Sequence, residues 1–352
     1  MSESIKAGII GCGVIAPLHA RCLQQIDGIE PVWACDLVAD KARTVAEEFD
    51  IPNCTTDYTD VLQDDTVDCV HVCTDHGSHA AIAVAALDAG KHVICEKALS
   101  AAANGLQAME QALARHDDLV FVPVFQHRFD PVYRRLKALI DEGALGTVLT
   151  AAVQVRCLRT DDYYRSADWR GTWAQEGGAV LINQAIHFVD ALVWAMGGVE
   201  AVSGAFANLT HADVMETEDT VAAALRFRNG ALGTLEATCS SNLNWEPTLA
   251  VHGSQGAVEL RNAEVTKLVI ADDAVQQRVA AEFAACGEDE AECQGKSYYG
   301  PSHSSQIADF VEAIRDGRRP YVSLASARHT VDVVHAVYAS ARQQRWLSVG
   351  PA

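Results

Sequence analysis

A row of polar side chains interrupts an apolar segment in the second half of the chain. The segment GGAVLINQAIHFVDALVWAMGG, from Gly177 to Gly198, is bounded by glycine pairs and predicts one helix that is buried on most sides. Asn183, His187 and Asp190 are spaced i, i+4 and i+7, which places them on one stripe of that helix. Histidine titrates near neutral pH and can take up or return a proton. The stripe therefore predicts acid–base chemistry at His187, with Asn183 beside the substrate and Asp190 in a supporting role.

A glycine-rich loop follows the first strand-like run and indicates a dinucleotide site. The sequence GIIGCGVIA has a G-x-G-x-x-A arrangement at the start of the helix-like segment APLHARCLQQ. The glycines allow a tight turn and close approach of the backbone to a pyrophosphate, and the helix N-terminus offers free N–H groups. The predicted cofactor loop comprises Gly11, Gly13, Val14, Ile15 and Ala16.

An acidic residue ends the second strand-like run and favours one cofactor over the other. Asp36 lies 20 residues beyond Ala16, where its carboxylate would accept hydrogen bonds from the adenosine ribose. A carboxylate there repels a 2′-phosphate, so we predict NAD, with NADP less favoured. The alternative is that Asp36 only caps the helix that follows it.

Glu96 and Lys97 end another apolar run, GKHVICEK. In a doubly wound sheet, ligands bind outside the carboxyl ends of the strands, so both residues are predicted at the cofactor site. As an ammonium, Lys97 would bind the substrate oxygen and stabilise the developing alkoxide. In an alternative mechanism, a neutral Lys97 acts as the base. If Lys97 has no function in catalysis, it is a solvated surface lysine.

The segment RTDDYYRSADWRGTW precedes the apolar helix and combines aromatic rings with arginines. The rings could cover the apolar face of a sugar, and the arginines could bind hydroxyl, carboxylate or phosphate groups. The predicted substrate residues are Tyr163, Tyr164, Arg165, Trp169, Arg170 and Trp173, with Arg128 and its neighbour His127 from FQHRFDP. A packed loop or an oligomer contact is the alternative reading of the segment.

Two domains are predicted to position these residues. Over residues 1–125, the apolar runs AGII, PVWACD, VDCVHVCT, HVICEK and LVFVPVFQ alternate with helix-like segments, which predicts a doubly wound parallel sheet of the α/β class. Residues 126–352 contain period-2 runs and hairpin signals such as RNG and GSQG, followed by two helices. We predict an α+β domain with a large, mostly antiparallel sheet, whose C-terminal helix packs against the first domain.

Composition excludes several classes of protein. The formal net charge of −20 argues against nucleic acid and anionic membranes as partners. No apolar run is long enough to span a bilayer and the start has no signal-peptide pattern, so we expect a cytoplasmic location. The eleven cysteines form no C-x-x-C pair, and several lie in apolar runs, which predicts reduced structural thiols and no metal site.

Five segments together resemble one family over almost the whole chain. They are GIIGCGVIAPLHA, SHAAIAVAALDAGKHVICEKALS, FQHRFDPVYRRLKALIDEGALG, GGAVLINQAIHFVDAL and IADFVEAIRDGRRP. They resemble the glucose-fructose oxidoreductase, inositol dehydrogenase and MocA-like (Gfo/Idh/MocA) dehydrogenases. The resemblance implies a Rossmann domain, oxidation or reduction of a secondary alcohol on a sugar or cyclitol, and a homodimer or homotetramer formed through the second-domain sheet. It matches Lys97 to the active-site lysine and His187 to the general acid/base.

Three positions depart from that family's pattern. Ala98 replaces the usual proline after Glu-Lys, Asp75 replaces proline after Thr74, and Asn183 stands where many members have aspartate. We expect Thr74 and His79 near the cofactor, with capping or packing as the alternative for His79. Since an amide holds no charge, Asn183 is expected to hydrogen-bond a substrate hydroxyl.

The predicted function is hydride transfer between NAD and a secondary alcohol of a sugar, sugar derivative or cyclitol. Oxidation at C3 of a pyranoside or nucleotide sugar is the finer hypothesis, because some family branches with that activity share the N-x-x-x-H pattern. The alternatives are a redox-assisted lyase or glycosidase that retains NAD, and a non-catalytic nucleotide-sensing protein.

Overall fold

The computed structural model describes residues 4–286 and 302–350. The chain divides into two compact units, Met1–Gln126 with Glu292–Ser326 and His127–Ala291 with Ala327–Ala352. The predicted boundary near residue 126 assigned everything after it to one domain, whereas the described residues 302–326 belong to the first unit. The reason is the apolar face of one late helix, which joins the first unit's core.

The first unit contains a six-stranded parallel sheet with helices between its strands. Its elements are β1 (Ile5–Ile10), α1 (Ala16–Gln25), β2 (Ile29–Cys35), α2 (Ala39–Glu48), β3 (Asn53–Thr55), α3 (Tyr58–Gln63), β4 (Cys69–Val72), α4 (His76–Asp88), β5 (His92–Cys95), α5 (Ala103–Leu113) and β6 (Phe121–Pro123). The strand order is β3-β2-β1-β4-β5-β6, with every neighbouring pair parallel. This is the predicted doubly wound Rossmann sheet, with one added strand, β3, which is too short and exposed to show a pattern in the sequence.

The late helix of the first unit is α10 (His303–Asp316). Its apolar residues Ile307, Phe310 and Val311 are buried in the same cluster as Ile9 of β1 and Leu23 of α1. At roughly 25 cal/mol for each Å² of buried apolar surface, three such side chains contribute several kcal/mol to the stability of this unit. Gly317 ends the helix in the left-handed conformation, which glycine adopts without a steric penalty.

The second unit contains an eight-stranded sheet with helices around it. Its elements are α6 (Pro131–Asp141), β7 (Val148–Arg156), α7 (Asp161–Arg165), a π-helical segment (Val180–Ala185), α8 (Ile186–Ala195), β8 (Val199–Ala207), β9 (Thr220–Phe227), β10 (Leu232–Thr238), β11 (Thr248–Gly253), β12 (Gly256–Arg261), β13 (Glu264–Ile270), α9 (Asp273–Ala285), α11 (Leu324–Gln343, in this unit from residue 327) and β14 (Leu347–Ser348). The strand order is β13-β12-β11-β7-β10-β9-β8-β14. Among the strand pairs of this sheet within the described residues, only β7 and β10 are parallel, so the prediction of a mostly antiparallel sheet is confirmed.

The apolar helix predicted between the glycine pairs is not uniform. It begins with the π-helical segment and continues as α8. The Glu218 carboxylate accepts hydrogen bonds from the backbone N–H groups of Ala179 and Leu181, each at 3.1 Å, and so occupies donors at the start of the helix. Asn183 belongs to the π-helical segment, and His187 and Asp190 belong to α8. The single regular helix predicted for this segment is therefore corrected to two helical geometries in succession.

The described residues also bear on the expectations from composition. No helix within residues 4–286 and 302–350 has both the length and the apolar character needed to cross a membrane. Four cysteines on the parallel sheet, Cys35, Cys69, Cys73 and Cys95, are buried, and burial raises the pKa of each thiol. A raised pKa keeps these groups in the unreactive thiol form.

Candidate active site

The two glycines of the cofactor loop meet different demands. Gly11 has a φ of +96°, and a Cβ on it would lie 2.6 Å from the backbone of Cys73, so only glycine fits there. A Cβ on Gly13 would meet no protein atom within 4 Å. The loop is therefore tight on the side facing the protein and open at Gly13, as close approach of a pyrophosphate requires. Val14 is exposed, Ile15 is the N-cap of α1, and Ala16 is its first, fully buried residue.

Asp36 lies half-buried directly after β2, with both carboxylate oxygens bound to backbone. Oδ2 accepts a hydrogen bond from the N–H of Cys12 in the glycine loop at 2.9 Å, and Oδ1 accepts one from Val38 at 2.9 Å. The second bond reaches the N-cap residue of α2, so the capping alternative describes part of what Asp36 does. The first bond joins the acid to the loop, which places a carboxylate beside the predicted cofactor site.

His79 connects two loops of the first unit. The side chain is fully buried, with Nδ1 2.8 Å from the carbonyl oxygen of Ala98 and Nε2 3.1 Å from that of Thr74. Both ring nitrogens thus face the protein backbone, and the predicted direct contact with the cofactor is corrected to a role in holding the loops after β4 and β5. Thr74 is half-buried, and its hydroxyl accepts a hydrogen bond from Ser78 at 2.7 Å.

Glu96 turns into the interior of the first unit, while Lys97 is half-buried at the end of β5. One Glu96 oxygen lies 3.0 Å from Nε2 of His19 and 3.8 Å from Nε2 of His303, and the other accepts the Lys97 backbone N–H at 3.1 Å. Burial alone would raise the pKa of Glu96, but the hydrogen bond from His19 and the charges of His19, His303 and Lys97 hold it well below its usual range. The predicted cofactor contact of Glu96 is therefore corrected to a support of the backbone at Lys97.

His19 continues this buried contact to a second histidine. Its Nδ1 lies 2.9 Å from Nδ1 of His71, and both side chains are fully buried. Burial lowers the pKa of His71 well below its ordinary value, so this imidazole is neutral. Sequence reasoning missed both residues, because one histidine in a helix and one in a strand carry no pattern that shows they meet.

In the second unit, Asn183 lies in the π-helical segment against a buried carboxylate. Its Nδ2 donates to Oε1 of Glu176 at 2.5 Å, and the other Glu176 oxygen accepts the backbone N–H of Gly171 at 2.5 Å. Nδ2 of Asn183 is also 3.5 Å from the hydroxyl of Tyr163, which accepts a hydrogen bond from Gln184 at 3.0 Å. Burial raises the pKa of Glu176 to about 7, although the bonds from Gly171 and Asn183 act to lower it.

His187 is half-buried on α8, and its ring meets that of His127 edge-on with centroids 5.8 Å apart. Asp190 belongs to a different contact. Its carboxylate accepts hydrogen bonds from Nε and Nη2 of Arg128, at 2.8 and 2.5 Å, and from the Thr330 hydroxyl at 2.7 Å. Arg128 is only 3% exposed, so its predicted contact with substrate is corrected to a buried ion pair with Asp190. The predicted support of His187 by Asp190 is corrected in the same way, because the Asp190 carboxylate binds Arg128 and Thr330.

Half of the predicted substrate segment gathers beside Asn183. The guanidinium of Arg170 lies over the rings of Tyr163 and Trp169, with its central carbon 4.1 and 4.7 Å from the two centroids. All three side chains are half-buried. Two aromatic faces and a cation beside a buried amide form a surface suited to a polyhydroxylated ring.

The other half of the segment has packing or surface roles. Tyr164 is 3% exposed, and its hydroxyl is 3.0 Å from Sγ of Cys239. Trp173 packs against Phe206 and Tyr338, and its indole N–H donates to the carbonyl of Glu216. Arg165 is exposed and forms ion pairs with Asp161 and Asp162 of its own helix. The predicted substrate contact of Tyr164 is corrected to a packing role, while those of Trp173 and Arg165 stay predictions.

Sequence reasoning also missed the carboxylates around this helix, Glu176 and Glu218, which are 1% and 0% exposed. An acid directly before a glycine pair is typical of an exposed turn, and an acid at the start of a strand is typical of a surface. The one available signal was the length of the apolar helix, whose N-terminal N–H groups need acceptors that the segment itself lacks.

Matches to known families follow the division of the chain. Residues 5–124 match the family described as "Oxidoreductase family, NAD-binding Rossmann fold", and residues 133–259 match the GFO/IDH/MocA C-terminal domain. The chain belongs to the GFO/IDH/MocA family of oxidoreductases. The family assignment confirms the resemblance seen in the sequence, and it identifies the first unit as NAD-binding.

Individual GFO/IDH/MocA relatives match along nearly their whole length. The myo-inositol 2-dehydrogenase of Thermotoga maritima is 25% identical, with 97% of each chain covered. The levoglucosan dehydrogenase of Pseudarthrobacter phenanthrenivorans is 26% identical, with 99% of this chain and 98% of the relative covered. Among solved structures, the WlbA dehydrogenase of Bordetella pertussis in complex with NADH and UDP-GlcNAcA has a TM-score of 0.89 at 25% identity, covering 100% of this chain and 99% of that one.

Proposed function

We propose that this protein is an NAD-dependent dehydrogenase that oxidises or reduces a secondary alcohol of a sugar, sugar derivative or cyclitol. The observation that carries the proposal is the placement of Asn183 and half-buried His187 on one helix of a family oxidoreductase, with Tyr163, Trp169 and Arg170 beside Asn183. The named activities of the relatives, on myo-inositol and levoglucosan, support this substrate class.

In the proposed reaction, His187 accepts the proton of the substrate hydroxyl as the carbon–hydrogen bond breaks. Bound NAD supplies the acceptor for the hydride. The imidazole suits this role because its ordinary pKa lies near neutral pH. In the reverse direction the imidazolium returns the proton to the alkoxide oxygen.

Lys97 is proposed to stabilise the oxygen on which negative charge develops. Its backbone is held by Glu96, whose own position is held by His19, so the end of β5 is anchored from within the first unit. The ammonium group can donate three hydrogen bonds and needs no proton transfer in this role.

The finer substrate hypothesis is oxidation at C3 of a pyranoside or nucleotide sugar. It is supported by the structural likeness to the dehydrogenase complexed with NADH and UDP-GlcNAcA. Arg170 would bind acidic groups of such a substrate, and the rings of Tyr163 and Trp169 would cover its apolar face.

The test is a screen for NADH formation with NAD and NADP over free sugars, glycosides, inositols and nucleotide sugars. We expect turnover with NAD, and a loss of about 10² to 10⁴-fold in kcat for H187A and K97M. Matched controls are H116A and K267M, whose side chains lie on the surface. Unchanged turnover in both site variants would refute the assigned roles. Product without net NADH would favour the redox-assisted lyase, and nucleotide binding without any product would favour the sensing protein.

We also propose that the protein forms a homodimer or homotetramer through its large sheet and acts in the cytoplasm. On the central strands of that sheet, the register places five exposed or half-buried apolar side chains on one face, where they alternate with polar ones such as Thr234 and Glu236. These residues are Ala152, Ala222, Ala224, Leu232 and Ala250. A sedimentation experiment that returned a monomer would contradict the oligomer.

A further inference from the structure

Glu176 has no part in the proposed mechanism, yet it is buried and hydrogen-bonded beside Asn183. Its side chain is 1% exposed, and its two oxygens divide their hydrogen bonds between Gly171 and Asn183. Removing a carboxylate from water is costly unless hydrogen bonds or nearby charges compensate for the lost hydration. This carboxylate contacts Asn183, the residue of the π-helical segment that the proposed function places against the substrate.

The contact determines which way the Asn183 amide faces. An ionised carboxylate only accepts hydrogen bonds, so Nδ2 of Asn183 must face Glu176. The hydroxyl of Tyr163 lies on the same side of the amide, 3.5 Å from Nδ2. The carbonyl oxygen Oδ1 is on the other branch of the amide and therefore faces away from Glu176.

We propose that Glu176 is a positioning residue that presents Oδ1 of Asn183 as a hydrogen-bond acceptor, so that the site selects a substrate with a hydroxyl donor at that position. The inference rests on the proposed function, because it assigns a donor to the substrate that Asn183 binds. It adds to that function that Asn183 accepts, and the substrate hydroxyl donates, the hydrogen bond between them.

Protonation of Glu176 would reverse the amide. The oxygen facing Gly171 must remain an acceptor, so an added proton resides on the oxygen facing Asn183. That proton requires an acceptor, and the amide must turn Oδ1 toward it. Burial raises the pKa of Glu176 to about 7, so both forms are populated near neutral pH. Among the described residues, the titratable and charged groups that act on it include Arg170, Glu218, Tyr163, Tyr164 and Tyr338.

A purely structural role, in which Glu176 only closes the turn at Gly171, makes a different prediction. In E176Q the side chain keeps its size and can still accept the Gly171 N–H through its carbonyl oxygen. Its NH₂ group then faces Asn183, and the Asn183 amide must present Oδ1 to it. The turn is preserved, while the polarity that Asn183 offers to substrate is inverted.

The first measurement requires no substrate. The full-length protein is labelled with ¹⁵N-asparagine, and N183A identifies the Asn183 side-chain resonance. We expect this resonance to shift between about pH 6 and 8 in the wild type and to be independent of pH in E176Q. The control is E216Q, which removes an exposed carboxylate bonded to Trp173 and should leave the titration unchanged. A resonance whose chemical shift is the same in the wild type and E176Q at every pH, or that still titrates in E176Q, overturns the proposal.

The second measurement is kinetic and uses the substrate found in the screen. Loss of a hydrogen bond to the substrate hydroxyl should lower kcat/KM of E176Q by about ten- to a hundredfold, mainly through KM for the alcohol, with KM for NAD unchanged. An equal loss in both KM values contradicts the inference. A titrating resonance in a protein that turns over no alcohol of the panel refutes the proposed function and the substrate half of this inference, while the coupling of Glu176 to Asn183 stands.

Discussion

Two buried carboxylates, one in each unit, lie next to proposed catalytic or substrate residues, and their pKa values are shifted in opposite directions. Glu96 is 5% exposed and binds the backbone of Lys97, and Glu176 is 1% exposed and binds the side chain of Asn183. The pKa of Glu96 is held well below its usual range, whereas that of Glu176 is raised to about 7. Burial acts in the same direction on both groups.

The difference comes from the partners. Glu96 faces His19, His303 and Lys97, which can carry positive charge. Glu176 receives its closest hydrogen bonds from neutral groups, a backbone N–H and an amide. The charge of Arg170 lowers its pKa less than these hydrogen bonds do, and buried Glu218 acts to raise it. Hydrogen bonds from neutral donors offset only part of the desolvation penalty, while cations offset more of it. One carboxylate is therefore a permanent anion that anchors a loop, and the other can change its charge near neutral pH.

The largest expected effect tests the first carboxylate. E96Q removes the charge that His19 and His303 face, and breaking a buried ion pair by removing one partner typically costs about 3–5 kcal/mol. Because the folded-state pKa of Glu96 is depressed, its contribution is present above pH 4.5 and is lost as pH falls through the folded pKa. Urea unfolding of wild type and E96Q at pH 7 and pH 4 measures the difference between their free energies of unfolding, which should be smaller at pH 4. A difference in free energy of unfolding below 1 kcal/mol at pH 7 would show that ionised Glu96 does not stabilise the fold, contrary to the comparison with Glu176.

The second prediction has the opposite sign. The pKa of Glu176 is raised from 4.5 to about 7, so the wild type should lose stability relative to E176Q as pH rises between these values, by up to about 3 kcal/mol at 1.36 kcal/mol per pKa unit. The free energies of unfolding of both proteins at pH 5 and pH 8 test this, with E216Q as the control. A constant difference between the two proteins across this range would show that Glu176 does not titrate there.

The smallest expected effect concerns an exposed carboxylate, Glu236, which tests whether burial causes the large effects at Glu96 and Glu176. Glu236 pairs with Arg156 at 2.6 Å, as closely as the buried pairs, but both side chains are about 40% exposed. E236Q should therefore change the free energy of unfolding by less than about 1 kcal/mol, and the change should diminish with added salt. A loss comparable to that of E96Q would mean that distance, and not burial, determines the strength of these pairs.

Much of the fold followed from local patterns. The glycine loop, the strands that alternate with helices and the antiparallel hairpins of the second sheet each depend on residues close together in the chain. The short strand β3 and the assignment of α10 to the first unit did not follow, because both depend on pairing or packing between distant segments. The candidate site was predicted less completely. Asp36 and Lys97 lie where the strand ends placed them, but the partners of Arg128 and Glu96 lie 62 and 77 residues away.

The sequence by itself determined the fold class, the cofactor loop and the candidate residues Lys97, Asn183 and His187. These are properties of residue type and short-range spacing, which a single strand or helix expresses. Only the tertiary structure decided which polar groups are ionised and which side chains are committed to packing. Charge state depends on burial and on partners brought together from distant segments. The hydrogen bond from Asn183 to Glu176 depends on how the chain turns between Glu176 and the π-helical segment, which residue spacing alone does not describe.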